Sequence, residues 1–223
     1  MRRFIQLLLL ALAPTLFAGQ QPNIVFVLFD DIGYGQPKSY RADSPFKTPN
    51  LDRLATEGMR FTDAHSAAAN CTPTRYGVLT GRYPSRIGQF GVLKTYSAPI
   101  IPKSRLTVAS FLKGRGYHTA CIGKWHLGLG YSPKPGADLE LDRPLPWTDA
   151  EYEFEQRIDF EQPLSGGPND LGFDYFYGTS GCPTCQPPYG FIEDRHFVEL
   201  PSQYHADPVF TSRPGMMAPG WRH

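Results

Sequence analysis

Six consecutive apolar residues, Ile24-Val25-Phe26-Val27-Leu28-Phe29, follow Pro22-Asn23 and stop abruptly at Asp30-Asp31. A β-rich run without polar alternation predicts a strand covered on both faces, as in parallel sheets. Gly33 and Gly35 supply flexible backbone just beyond it.

Two strand–helix cycles extend this pattern. Thr48-Pro49 offers an N-cap and a proline at the first helical position, Leu51, Leu54 and Ala55 follow at helical spacing, and Gly58 ends the helix. Residues 59–62 then read as a returning strand. Further on, Thr107 caps a helix with Val108, Phe111 and Leu112 on one face, closed by Gly114 or Gly116. Residues 117–122 read as the next strand, stopping at Gly123-Lys124-Trp125-His126. Such alternation predicts an α/β domain with a largely parallel central sheet between helices. Ligands of such sheets gather at the carboxyl ends of strands, where Asp30-Asp31 and Lys124-Trp125-His126 both fall. Residues 132–147, rich in proline and charge, read as a surface loop, and 149–157 as a short exposed helix. Neither an internal repeat nor a clear linker between domains is visible.

The start of the chain carries a processing signal. Met1-Arg2-Arg3 is basic, residues 4–17 are mostly apolar, and Ala18-Gly19 supplies small residues for cleavage. This predicts a secretory signal peptide over 1–19, with an uncleaved anchor as the competing reading. The mature protein is then expected to be secreted or periplasmic, with no membrane association after cleavage. A formal net charge of +1 provides no global field for nucleic acid, so basic character for an anionic substrate has to be local. The 22 glycines and 22 prolines, beside 13% aromatic residues, indicate a loop-rich folded chain and not a disordered one.

Three groups carry chemistry. Asp30 and Asp31 end an apolar strand, where two acids need a cation or donors; hard cations such as Ca²⁺ want several such oxygens. A solvated turn pair is the alternative. Adjacent strand residues point to opposite faces, so both carboxylates reach one ion only where the strand has ended. Cys71 opens the run Cys71-Thr72-Pro73-Thr74-Arg75-Tyr76-Gly77-Val78-Leu79-Thr80-Gly81-Arg82. An ordinary buried thiol, or a cysteine nucleophile at a helix N-terminus near Tyr76–Leu79, are its simpler readings. Lys124 and His126 are two apart, so extended backbone would turn them to one face: a fixed cation beside a group that moves protons near neutral pH. Trp125 and Leu127 would face the core. Asn70-Cys71-Thr72 is formally a glycosylation sequon, read as accidental. Cys182-Pro183-Thr184-Cys185 reads as a local disulfide or structural thiols in a loop, and Cys121 as a buried strand residue.

The run from Cys71 to Arg82 resembles the type I sulfatase signature, and residues 123–128 resemble the second signature of that family. Residues 23–35, 48–54, 61–64 and 172–178 resemble further sulfatase segments in the expected order. The resemblance covers nearly all of the chain after the signal, 20–223, and corresponds to the N-terminal part of the family's catalytic domain. It implies an alkaline-phosphatase-like α/β sandwich, here incomplete at the C-terminus, and hydrolysis of sulfate esters, with sulfated carbohydrate preferred over small aryl sulfates. It further implies that a formylglycine-generating maturation enzyme converts Cys71 to formylglycine, whose hydrate is the nucleophile. Asp30, Asp31 and modified Cys71 would ligate Ca²⁺, with Mg²⁺ as the alternative. Arg75 would hold the hydrate, Lys124 would neutralise charge on the sulfate, and His126 would take a proton as sulfate leaves. The family's remaining metal ligands, second lysine and second histidine are expected beyond the end of this chain, so a truncated, inactive product is the expectation. A phosphonate or phosphodiester hydrolase of the same superfamily, and a non-catalytic extracellular binding module, are the alternatives.

Overall fold

The computed structural model describes residues 21–94, 96–140, 154–184, 186–205 and 220–222. The signal peptide expected over 1–19, much of the expected helix over 149–157, and Cys185 lie outside the described residues. The chain divides into two compact units, Met1–Arg60 and Phe61–His223.

In the first unit the run 24–29 has no regular secondary structure and joins no ladder, and its side chains are exposed, Val25 at 86%. The expected central strand is therefore not formed. A strand needs a hydrogen-bonded neighbour, and no other strand occurs among the described residues of this unit. Helix α1, Pro49–Glu57, forms over the expected residues, with the Gly58 N–H returning to the Leu54 carbonyl, but the Thr48 side chain makes no capping bond to it. Its start is organised by side chains: Asp52 Oδ1 accepts from the Ser39 N–H at 2.8 Å, and Thr48 Oγ1 accepts from the Lys38 N–H at 3.1 Å. The strand expected over 59–62 is absent.

The second unit holds α2 (Cys71–Thr80), α3 (Val108–Lys113) and the strands β1 (Ala120–Lys124), β2 (Ser132–Pro133), β3 (Ile158–Asp159), β4 (Tyr175–Thr179), β5 (Ile192–Glu193), β6 (His196–Phe197), β7 (Gln203–His205) and β8 (Gly220–Arg222). The main sheet runs β1-β4-β5-β6. β1 and β4 are parallel, from Ala120 opposite Tyr175 to Lys124 opposite Thr179. The β4–β5 and β5–β6 pairings are antiparallel, so the sheet is mixed and not largely parallel. The reason is local: β5 and β6 are joined by a two-residue turn in which Asp194 takes a φ of 51°, and so tight a connection makes only antiparallel neighbours. At the β1–β4 pair, Gly178 faces Gly123, and a Cβ on Gly178 would lie 1.8 Å from the Gly123 carbonyl oxygen.

Helix α3 starts with a reciprocal cap: Thr107 Oγ1 accepts from the Ser110 N–H at 3.1 Å, and Ser110 Oγ accepts from the Thr107 N–H at 2.9 Å. Its buried residue is Ala109, whereas Val108 and Phe111, expected on a packed face, are exposed. Asp174 ties α3 to the entry of β1, with Lys113 Nζ 2.7 Å from its Oδ1 and the Thr119 N–H donating to Oδ2 at 2.9 Å. Trp125, Leu127, Leu129, Ile158, Phe176 and Ile192 form the centre of the core. Trp125 and Leu127 thus face inward as their pattern predicts. Phe154 and Glu155 are also buried, against the expectation of an exposed helix; the Tyr96 hydroxyl donates to Glu155 Oε1 at 2.8 Å. No helix among the described residues is long and apolar enough to cross a membrane.

Candidate active site

Helix α2 begins at Cys71 itself, earlier than the sequence suggests. Asn70 has extended backbone, its carbonyl accepts from the Thr74 N–H at 3.1 Å, and Pro73 sits in the first turn, where its missing N–H is harmless. Cys71 therefore lies at the positive end of the helix dipole. Arg75, one turn on, shares its face. Gly77 allows close packing, since a Cβ there would meet Ala67 Cβ at 2.4 Å. Gly81 closes the helix in the left-handed region at φ 64°.

The end of β1 comes to this helix start. Lys124 Nζ lies 3.1 Å from Cys71 Sγ, and the Arg75 guanidinium donates through Nη1 to the Lys124 carbonyl. The motif cysteine, its arginine and the lysine of the second signature are thus one cluster within the second unit. Behind them on β1, the Cys121 thiol is pushed up to about 11 by burial, against the opposing pull of the Arg75 cation.

Beyond Lys124 the chain still follows β4, with the Trp125 N–H donating to the Thr179 carbonyl and the His126 N–H to the Ser180 carbonyl, each at 2.9 Å. His126 then takes a φ of 56°, so the extended backbone expected to align it with Lys124 has ended. Left-handed backbone at a non-glycine residue is strained and needs support from its surroundings. Thr72 provides it. Fully buried, its hydroxyl donates to the His126 carbonyl at 2.9 Å and accepts from the Leu93 N–H at 3.0 Å. The His126 ring is buried, with Nε2 2.9 Å from the Leu93 carbonyl, which also accepts from Gln186 Nε2 at 2.8 Å.

Sequence reasoning missed Thr72, Leu93 and Gln186. Thr72 sits inside the motif, and its place next to Cys71 was the only available signal. Leu93 acts through its backbone and Gln186 from a proline-rich loop, so neither carried one. A cavity of about 20 Å³, lined by Leu93, Tyr96, His126, Tyr131, Ser180 and Gln186, adjoins the ring and has room for about one water. Burial pushes the Tyr131 hydroxyl up, although a bond with Ser180 works against it.

Asp30 and Asp31 stand in the first unit, both exposed. Asp31 has a φ of 60°, which breaks strand alternation between the two carboxylates. They offer ligand atoms within 4.8 Å of each other. Two oxygens on one Ca²⁺, each about 2.3–2.6 Å from it, can be no more than about 5 Å apart. Hard, anionic donors at this separation fit such an ion. Cys182 Sγ lies 3.1 Å from Thr184 Oγ1; its expected pairing with Cys185 involves a residue outside the described set.

Comparisons with known proteins identify the family. The sulfatase family model matches residues 22–189. An N-acetylgalactosamine-6-O-sulfatase of Bacteroides thetaiotaomicron is 36% identical over 181 residues, covering 81% of this chain and 30% of the relative. Human arylsulfatase A is 49% identical over 124 residues, covering 55% of this chain and 24% of the relative. A solved 6S-sulfatase structure from work on glycosaminoglycan metabolism by Bacteroides thetaiotaomicron superimposes with a TM-score of 0.63 at 34% identity, over 81% of this chain and 32% of that one. The chain thus spans about a quarter to a third of the length of these relatives. With two signatures meeting at one helix start and a family match over most of its length, the chain belongs to the sulfatase family, as an N-terminal portion with the family's α/β fold.

Proposed function

We propose that this chain supplies the nucleophile half of a sulfuric ester hydrolase acting on sulfated carbohydrate. The single observation that carries the reading is Lys124 Nζ at 3.1 Å from Cys71 Sγ, at the N-terminus of α2. The carbohydrate preference is supported by the N-acetylgalactosamine-6-O-sulfatase and the structure from glycosaminoglycan metabolism. Export through the signal at 1–19 suits such a substrate.

In this reading a maturation enzyme converts Cys71 to formylglycine, and the thiol in the structure stands where the aldehyde hydrate would be. The hydrate carries two hydroxyls on one carbon: one to attack sulfur as the alcohol departs, the other to lose its proton as sulfate is expelled and the aldehyde returns. Lys124 puts a fixed positive charge where negative charge grows on the transferred sulfate. Arg75 braces Lys124 through its backbone carbonyl and brings a second cation to the same face. His126 receives the proton of the second hydroxyl. Asp30, Asp31 and modified Cys71 would hold Ca²⁺ or Mg²⁺, which when bound lowers the pKa of a hydroxyl and polarises the sulfate.

The test is the mass of the tryptic peptide 61–75 after export from cells that contain a formylglycine-generating enzyme. Loss of mass matching thiol-to-aldehyde conversion is expected, both in the wild type and in Lys124→Ala. Turnover of a sulfated N-acetylhexosamine by the full-length enzyme should fall about 10²–10³-fold in Lys124→Ala. An unconverted Cys71, with a control sulfatase converted in the same cells, would overturn the reading.

A further inference from the structure

The Leu93 backbone is held at both ends by residues around the site. Its N–H donates to Thr72 Oγ1, and its carbonyl faces His126 Nε2 at 2.9 Å and Gln186 Nε2 at 2.8 Å. A carbonyl oxygen only accepts, so the contact with His126 requires the proton to sit on Nε2. In a neutral imidazole the lone pair then belongs to Nδ1. The same oxygen has two lone pairs, and the histidine and the glutamine use one each.

The orientation of the Gln186 amide is fixed from its other end. The Cys182 N–H donates to Gln186 Oε1 at 2.9 Å, which turns the NH₂ group toward Leu93. Gln186 is 4% exposed, and its own N–H donates to the Cys182 carbonyl at 2.9 Å. Residues 91–94 belong to no helix or strand, so these side-chain bonds, and not a ladder, set where the Leu93 carbonyl points.

We propose that Gln186 is a positioning residue for His126: by holding the Leu93 carbonyl it fixes the imidazole as the Nε2–H tautomer and makes Nδ1 the proton-accepting atom. The kinetic consequence rests on the proton-moving role proposed for His126; the tautomer itself does not. Without the glutamine, the carbonyl is held only through the Leu93 N–H and can turn from the ring. The ring then exchanges tautomers, and only part of the population presents a lone pair on Nδ1.

The experiment is a long-range ¹H–¹⁵N correlation spectrum of ¹⁵N-histidine-labelled protein at a pH where the ring is neutral, with the His126 signals identified by their loss in His126→Gln. The wild type should show Nε2 protonated and Nδ1 bare, with a tautomer ratio of at least about tenfold. Gln186→Glu keeps the acceptor for the Cys182 N–H but sets an oxygen against the Leu93 carbonyl, and Gln186→Met keeps the volume and removes both bonds. Each is expected to lower the ratio at least about threefold, with kcat falling only as far as the Nε2–H fraction of the rings falls and KM unchanged. An Nδ1–H or doubly protonated ring in the wild type overturns the proposal without any variant, as does a folded Gln186 variant that keeps the wild-type ratio. A full-length wild-type enzyme with Cys71 converted but inactive on sulfate esters would count against the proposed function while the tautomer ratio remained readable.

Discussion

Two cysteines of the second unit show how position decides the chemistry of one side chain. Cys71 opens a helix beside a lysine, whereas Cys121 lies on β1 with its thiol pushed up to about 11, burial outweighing the Arg75 cation. At pH 8 about one Cys121 in a thousand is then thiolate, and the thiolate is the reactive form. Iodoacetamide at that pH should leave Cys121 unlabelled in the folded protein for as long as a denatured control takes to label completely. Labelling at the denatured rate would show that the strand is open. His126 illustrates the other influence of position. Its φ of 56° means that replacement by a β-branched residue strains the backbone as well as removing the ring, while asparagine tolerates the conformation better.

Elements with a local signature were legible in the sequence. Thr48-Pro49 and Gly58 bracket α1, Thr107 and Gly114 bracket α3, and both helices form where those residues put them. Cys71, Arg75 and Lys124 were likewise readable from two motifs, and the structure brings them together. Features that depend on distant partners were not readable. The run 24–29 has strand composition but no ladder partner, the burial of Ala109 in place of Phe111 follows from what packs on α3, and Gln186 gains its role from Leu93, 93 residues away. Ion pairs between elements are equally invisible in sequence. Asp170 accepts from Arg195 Nη1 at 3.0 Å and Nη2 at 2.8 Å, with Lys103 Nζ 3.2 Å from its Oδ1 and the Gly166 N–H donating at 2.6 Å. The Arg195 pair leads in holding the Asp170 carboxyl well below the usual carboxylate range, against partial burial. A depressed folded pKa gives stability that is present above the unfolded value near 4 and lost as pH falls through it toward the folded value. Arg195→Ala should cost about 2 kcal/mol in urea melts at pH 7, less than a fully buried pair because Lys103 and Gly166 remain. The same variant should lose less stability than wild type between about pH 4 and pH 2. Equal acid sensitivity in the two proteins would show that Asp170 is not held by Arg195.

At the scale of the whole molecule, the two units contrast in how they treat apolar surface. The second buries a continuous core from Tyr76 to Phe197, while the first leaves residues 24–29 exposed. An unpaired apolar segment of this kind is a template for association between copies. Light scattering should therefore show concentration-dependent self-association, reduced in Val25→Lys with no change in the thermal melt of the second unit. Association unaffected by that charge would place the sticky surface elsewhere. The burial around Cys71 also has a consequence in time. Thr72 and Pro73 are fully buried in the folded chain, and Lys124, which closes over Cys71, follows it by 53 residues. At about 5–20 residues per second of synthesis, the motif emerges roughly 3–10 s before the strand that covers it. On the function proposed above, an enzyme that converts Cys71 before β1 covers it would have that interval in which to act, so the pace of elongation past β1, as much as affinity for the motif, would set what fraction of chains is converted.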